Sequence, residues 1–154
     1  MRLRDIIENQ RKQRYQALIF TRKLDFYGRN IIEKLFNNYE IDYIDILNEF
    51  KIGNLESREI HNYNCDKLKD YFWAKEYISD LIVIDNLESI LSTYDVSELN
   101  KFIKYFEKDR FKPLFENKVF IFILPELNKF ESLETLNNDN KINRIIKIDE
   151  IIIN

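Results

Sequence analysis

Leu81-Ile82-Val83-Ile84 is the stretch that most restricts what this chain can fold into. Four consecutive aliphatic residues with no polar alternation suit a strand covered on both faces, which is how strands of parallel sheets read. The run stops at a carboxylate, Asp85, and a second acid, Glu88, follows three residues later. In an open α/β sheet the carboxyl ends of the strands border the ligand crevice, so Asp85 is expected there. Two roles suit an acid at that point. It can hold a metal ion, or it can cap the helix that follows, as Asp commonly does.

Similar runs recur along the chain, separated by helical patterns. Residues 3–14 predict a helix with Leu3, Ile6 and Ile7 on one side, and Tyr15–Phe20 a first strand. Thr21–Asn30 reads as the loop after it, and Ile31–Phe36 as a helix stopped by Asn37-Asn38. Ile41–Ile46 is a second strand whose partial alternation suits a sheet edge. Gly53-Asn54 marks a turn, and Leu55–Ser79 reads as two short helices before the Leu81–Ile84 strand. Asp95-Val96-Ser97-Glu98 is a capping-box pattern, opening a helix with Leu99, Phe102, Ile103 and Phe106 at i, i+3, i+4 and i+7. Lys118–Leu124 predicts a fourth strand ended by Pro125. Leu127–Asn140 is polar, a loop or frayed helix. Arg144–Ile148 is a fifth strand, and Ile151-Ile152-Ile153 a tail that packs. Strands alternating with helices call for right-handed crossovers. The expected fold is therefore α/β, a three-layer, mostly parallel five-stranded sheet flanked by helices. One α/β domain is expected over 1–154, with an N-terminal helix over 1–14 and a sheet-and-helix core over 15–154.

Composition narrows the function classes. No apolar run approaches the ~18–20 residues of a membrane span, and Met1-Arg2-Leu3-Arg4-Asp5 lacks the apolar block of a secretory signal. The single cysteine, Cys65, has no partner within the chain for a disulfide. A cytoplasmic protein without membrane contact is the expectation. Charge is unevenly spread: residues 1–34 hold nine Lys/Arg and four acids, whereas the whole chain carries a net −3. A basic front on an acidic body can steer nucleic acid or an acidic protein partner.

The order of parts resembles the P-loop NTPase fold of the RecA/AAA kind. That resemblance implies a phosphate loop after the first strand, a Walker B acid ending the third, and a polar sensor ending the fourth. Those places are held here by Thr21–Asn30, by Asp85 with Glu88 nearby, and by Pro125-Glu126-Leu127-Asn128. In an active relative Asp85 would hold Mg²⁺, and Glu88 or Glu126 would position water. A working phosphate loop reads G-x-x-x-x-G-K-[ST], with glycines to let backbone N–H groups wrap the phosphates, a lysine for their charge and a hydroxyl for Mg²⁺. The nearest register is Lys23-Leu24-Asp25-Phe26-Tyr27-Gly28-Arg29-Asn30. It keeps Gly28, replaces the lysine by Arg29 and the hydroxyl by Asn30, and puts charge and bulk inside the loop. Arg is no substitute for a compact lysine charge at such a site. Neither ATP nor Mg²⁺ is expected as a cofactor, and Gly28, Arg29 and Asn30 keep only weak anion binding at a helix N-terminus.

The segment Asp85-Asn86-Leu87-Glu88-Ser89-Ile90-Leu91 is similar to the acid-Asn-hydrophobic-Glu run of the small P-loop-containing protein of bacterial BREX phage-defence systems. This resemblance implies a non-catalytic, degenerate P-loop-like interaction subunit of a bacterial defence or nucleic-acid-handling complex, with other protein subunits as partners. The alternatives are an ATPase subunit with an atypical phosphate loop, using ATP and Mg²⁺, and a metal-dependent nuclease built on Asp85 and Glu88 with Asp25, Glu33 or Asp45.

Three smaller patterns complete the reading. His61 and Cys65, four apart, would share a helix face as metal ligands can, with Asp66 or Glu59 as further donors. No nucleophile elbow surrounds the only histidine. Arg11, Lys12 and Arg14 precede the first strand and Arg22, Lys23 and Arg29 follow it, so they are expected as two patches ~20 Å apart. The second set is expected to pair with Asp85 and Glu88 as an internal plug. The first is left for weak, sequence-independent contact with nucleic acid or an acidic partner.

Overall fold

Successive strand residues point to opposite faces, and here both faces are covered. The computed structural model describes residues 1–23, 28–113, 117–126 and 144–152. Five strands form one sheet: β1 (Leu18–Arg22), β2 (Asp42–Asp45), β3 (Leu81–Asp85), β4 (Val119–Pro125) and β5 (Ile145–Lys147). Their spatial order is β2-β3-β4-β1-β5, and every pairing is parallel. The three-layer α/β expectation holds, with a sheet that is wholly rather than mostly parallel.

Leu18, Phe20, Leu81, Val83, Val119, Ile121, Ile123 and Ile146 face a core shared with α1 (Leu3–Arg11) and α2 (Gly28–Leu35). Ile19, Ile82, Ile84, Phe120, Phe122, Leu124 and Ile145 face the opposite core. That second core is closed by α3 (Ile46–Lys51), α4 (Cys65–Ala74), α5 (Glu88–Leu91) and α6 (Val96–Glu107). The two layers follow from handedness. The crossover from β1 to β2 runs one way across the sheet, those from β2 to β3 and from β3 to β4 run back, and a uniform hand requires opposite faces. Phe72 of α4 is the hub of the larger core, its ring 6.1 Å from those of Phe111, Phe120 and Phe122.

Several boundaries move. α1 ends at Arg11, not residue 14, because Gln10 turns inward and its amide donates to the Tyr15 carbonyl (2.5 Å). β1 starts at Leu18, not Tyr15, since the backbone N–H groups of Gln16 and Ala17 are taken by the Asp109 carboxylate rather than by a neighbouring strand. Thr21 and Arg22 therefore belong to β1, and α2 begins at Gly28, so the expected Thr21–Asn30 loop shrinks from both ends. β4 runs through Pro125, whose missing N–H is harmless at a strand's last residue. Helix α3, unanticipated, is capped by Asp45, which accepts from the N–H groups of Leu47 (3.0 Å) and Asn48 (3.4 Å). The two short helices of 55–79 are a 3-10 turn, Ser57–Asn62, and α4. Asp95 caps α6 through the Glu98 N–H (2.8 Å); Asn64 caps α4 through the Lys67 N–H (2.9 Å), and the Glu98 carboxylate reaches across to accept from the Cys65 N–H (2.7 Å). The polar stretch 127–140 lies outside the described residues. Ile151 is buried, and Ile152 bridges Arg2 in parallel. No helix among the described residues is long and apolar enough to cross a membrane.

Candidate functional site

The strand order brings the ends of β3, β4 and β1 side by side, so the three places singled out by the resemblance share one edge. Asp85 ends β3, with Asp45 as its register partner at the end of β2. Arg22 ends β1 opposite Pro125, and the next residue of β4, Glu126, donates its N–H to the Arg22 carbonyl (2.8 Å). Glu126 is thus brought to this edge by its backbone. Gly28, Arg29 and Asn30 form the first turn of α2; their side chains lie outside what the structure describes.

Asp85 is 3% exposed. Its Oδ2 accepts from the Tyr43 hydroxyl (2.6 Å) and its Oδ1 from the Asn86 N–H (2.8 Å). It does not cap the helix that follows: the residue before α5 is Leu87, with no side-chain cap bond. A left-handed turn intervenes, with Asn86 at φ 60°, a conformation Asn tolerates better than most residues. That turn aims the Asn86 amide at Asp45 Oδ1 (2.8 Å) and leaves its carbonyl oxygen to accept from Arg22 (3.1 Å).

Among the described residues, Arg22 is the cation that meets these acids. One terminal nitrogen lies 3.2 Å from Glu88 Oε1 and 3.8 Å from Asp85 Oδ1. This is the expected plug as far as Arg22 is concerned. Lys23 ion-pairs with Asp149, in the 3-10 turn after β5 (3.0 Å), and the side chain of Arg29 is not described. Burial pushes the Glu88 carboxyl above its ordinary value; the Asp85 charge adds to this, and Arg22 pulls the other way. Glu88 Oε2 is buried without a hydrogen-bond partner among the described residues, as is the Thr21 hydroxyl on β1.

Among the described residues these groups form an ion-pair cluster. Both oxygens of Asp85 are engaged by protein donors, Arg22 stands against the acids, and Asn30 has no hydroxyl to offer a metal. Among the described residues, Asp85 therefore has no unengaged oxygen to offer Mg²⁺. Among the described residues no group of three His, Cys, Asp or Glu is placed to hold a metal ion. His61 and Cys65 do not share a helix face: His61 lies in the 3-10 turn and is exposed, whereas Cys65 opens α4 and is buried.

Sequence reasoning missed Tyr43 and Asn86. Tyr43 pairs in register with Val83, so its ring extends along the sheet to reach Asp85. An Asn directly after a strand-ending acid was the available signal for a left-handed turn. Arg11, Lys12 and Arg14 are exposed at the other edge of the sheet, before β1, so the two basic sets are separate as expected. No protein-family model matches the chain, and no curated protein matches it.

Proposed function

We infer that this chain is a non-catalytic, degenerate P-loop-like protein that works as an interaction subunit of a bacterial defence or nucleic-acid-handling complex. The carrying observation is Arg22, ion-paired with Glu88 and Asp85 where the resemblance would put phosphate and metal. A cation from the first strand supplies the charge that a bound nucleotide's metal would otherwise bring. The bacterial defence setting rests on the similarity of Asp85–Leu91 to the BREX protein's run. Thermal denaturation with increasing ATP and Mg²⁺ tests the reading. A ligand at a hundred times its Kd would add ~2.7 kcal/mol and raise the midpoint by several degrees. No shift is expected, and a saturable rise would overturn the reading.

One observation favours a nucleotide-dependent enzyme as the second reading. Glu88 Oε2 is unpartnered among the described residues and its carboxyl is raised, which suits a group that positions or deprotonates water. ATP turnover that disappears in Asp85→Ala would select that reading over the first.

A further inference from the structure

The amino-terminal edge of the sheet, opposite the Asp85 cluster, gathers cations from two distant segments and places them beside an exposed aromatic ring. The segment between α1 and β1 brings Arg11, Lys12 and Arg14, all exposed. The turn after α6 brings Lys108 and Arg110, also exposed. A buried polar clasp holds the two segments together. Asp109 accepts from the Gln16 N–H and from the Ala17 N–H (2.8 Å). Gln16 in turn donates to the Arg11 carbonyl (2.8 Å) and accepts from Lys112 (3.1 Å). The cations therefore sit on a fixed frame, not on independent loops.

Trp73, the chain's only tryptophan, lies in the last turn of α4 and is 37% exposed. Its indole N–H donates to the Arg110 carbonyl (2.9 Å), which pins the ring to the basic turn. Lys69 lies 5.4 Å from the Trp73 ring centre, and Arg110 itself lies 5.5 Å from that of Tyr105. Asp109 is committed to the clasp and Asp66 to Lys101 and Tyr105, while Asp70, one turn before Trp73, is exposed. Basic residues near helix C-termini compensate the helix dipole, which accounts for Arg11. Dipole compensation does not account for an exposed indole tied to the same turn as Arg110.

We propose that this edge binds single-stranded nucleic acid, with a base stacked on Trp73 and phosphates held by Arg11, Lys12, Arg14, Lys108 and Arg110. Cations that track a backbone beside an aromatic platform are the combination that single strands use, and a duplex hides its base faces. The proposal names the partner class that the interaction-subunit reading leaves open. It rests on that reading for its setting alone, because the two surfaces lie at opposite edges of the sheet.

Titration of the full chain with oligo(dT) of about 16 nucleotides, the upper site size for one small binding domain, tests it in low salt. With one tryptophan present, quenching of the intrinsic fluorescence reports the Trp73 ring directly. Saturable binding with quenching is expected, together with a preference over a duplex of equal length. Trp73→Ala should weaken binding about fivefold or more, and Trp73→Phe should restore most of it. Arg14→Glu and Arg110→Glu should each weaken binding and flatten the salt dependence. The slope of log K against log salt should shrink by about 0.7 for each phosphate left unneutralised. Lys51→Glu, on α3 beyond the other edge, should leave binding unchanged. No saturable binding, binding without quenching, or equal affinity for the duplex would each overturn the proposal. The quenching arm uses the unmodified chain, so misfolding of a variant does not blunt the test. An ATP-induced thermal shift would instead strike at the plugged-site reading and leave this one standing.

Discussion

The Tyr43 hydroxyl donates to Asp85 Oδ2 at 2.6 Å, from an edge strand to the buried acid that ends its neighbour. A phenol on the outermost strand thereby occupies an oxygen that a metal ion would need. Tyr43→Phe keeps the ring and removes only that donor. A buried carboxylate oxygen left without its partner costs about 1–3 kcal/mol, and partial exposure of Tyr43 puts the expectation near the lower end. Urea denaturation at neutral pH measures it, and an unchanged midpoint would show that water replaces the phenol at no cost.

Glu88 makes the acid limb of the stability profile unusual. Its folded-state carboxyl is raised above the ordinary 4.5, so the folded chain binds more protons than the unfolded one in the interval above that value. Stability contributed by this group therefore falls as pH rises through the interval, the reverse of a salt-bridged carboxylate with a lowered value. Glu88→Gln removes the titration and should flatten the profile just above pH 4.5, compared with the unmodified chain in urea melts at a series of pH values. Parallel profiles for the two proteins would refute the assignment.

Cys65 is expected to be inert in the folded chain. It is fully buried at the start of α4, its Sγ faces the Glu98 carbonyl at 3.5 Å, and burial pushes its thiol up to about 12, with the Glu98 charge adding to the effect. Thiolate is the reactive form, so two barriers act together, access and ionisation. An aromatic disulfide reagent should titrate no thiol in native buffer and one per chain in denaturant. Rapid native labelling would mean that α4 opens readily.

Much of the fold was legible because strands buried on both faces are written as unbroken apolar runs. Leu81–Ile84 and Val119–Leu124 lie where those runs stand, and the α6 face of Leu99, Phe102, Ile103 and Phe106 is buried as its spacing requires. The first strand was misplaced by three residues for a physical reason. Gln16 and Ala17 look like strand in sequence, but their N–H groups bind a side chain ninety-odd residues away. No local pattern carries that information. At the candidate site the acids Asp85 and Glu88 were visible as types at a strand end, and so was the countercharge of Arg22. Asn86 and Tyr43 were not, since one depends on a single backbone angle and the other on which strand lies beside β3.

That remote side chain, Asp109, supports the last prediction. It is 8% exposed, sits at φ 52°, and accepts from two backbone N–H groups before β1. Arg144, just before β5, lies 3.3 Å from Asp109 Oδ1, and its guanidinium also donates to the carbonyls of Ala17, Phe106 and Glu107 (2.8–3.0 Å). The same guanidinium stands 4.3 Å from the Phe106 ring centre. Removing the acid strands a buried cation and orphans two N–H groups, so Asp109→Ala should cost about 3–5 kcal/mol, the range for breaking a buried pair. It also puts a β-carbon without a compensating polar group in the left-handed region. Asp109→Asn keeps one acceptor oxygen and a residue that tolerates the angle, and should lose less than half as much. Denaturant melts of the two variants decide the matter. A loss below ~1 kcal/mol for alanine would mean that water takes over the acceptor role of the clasp.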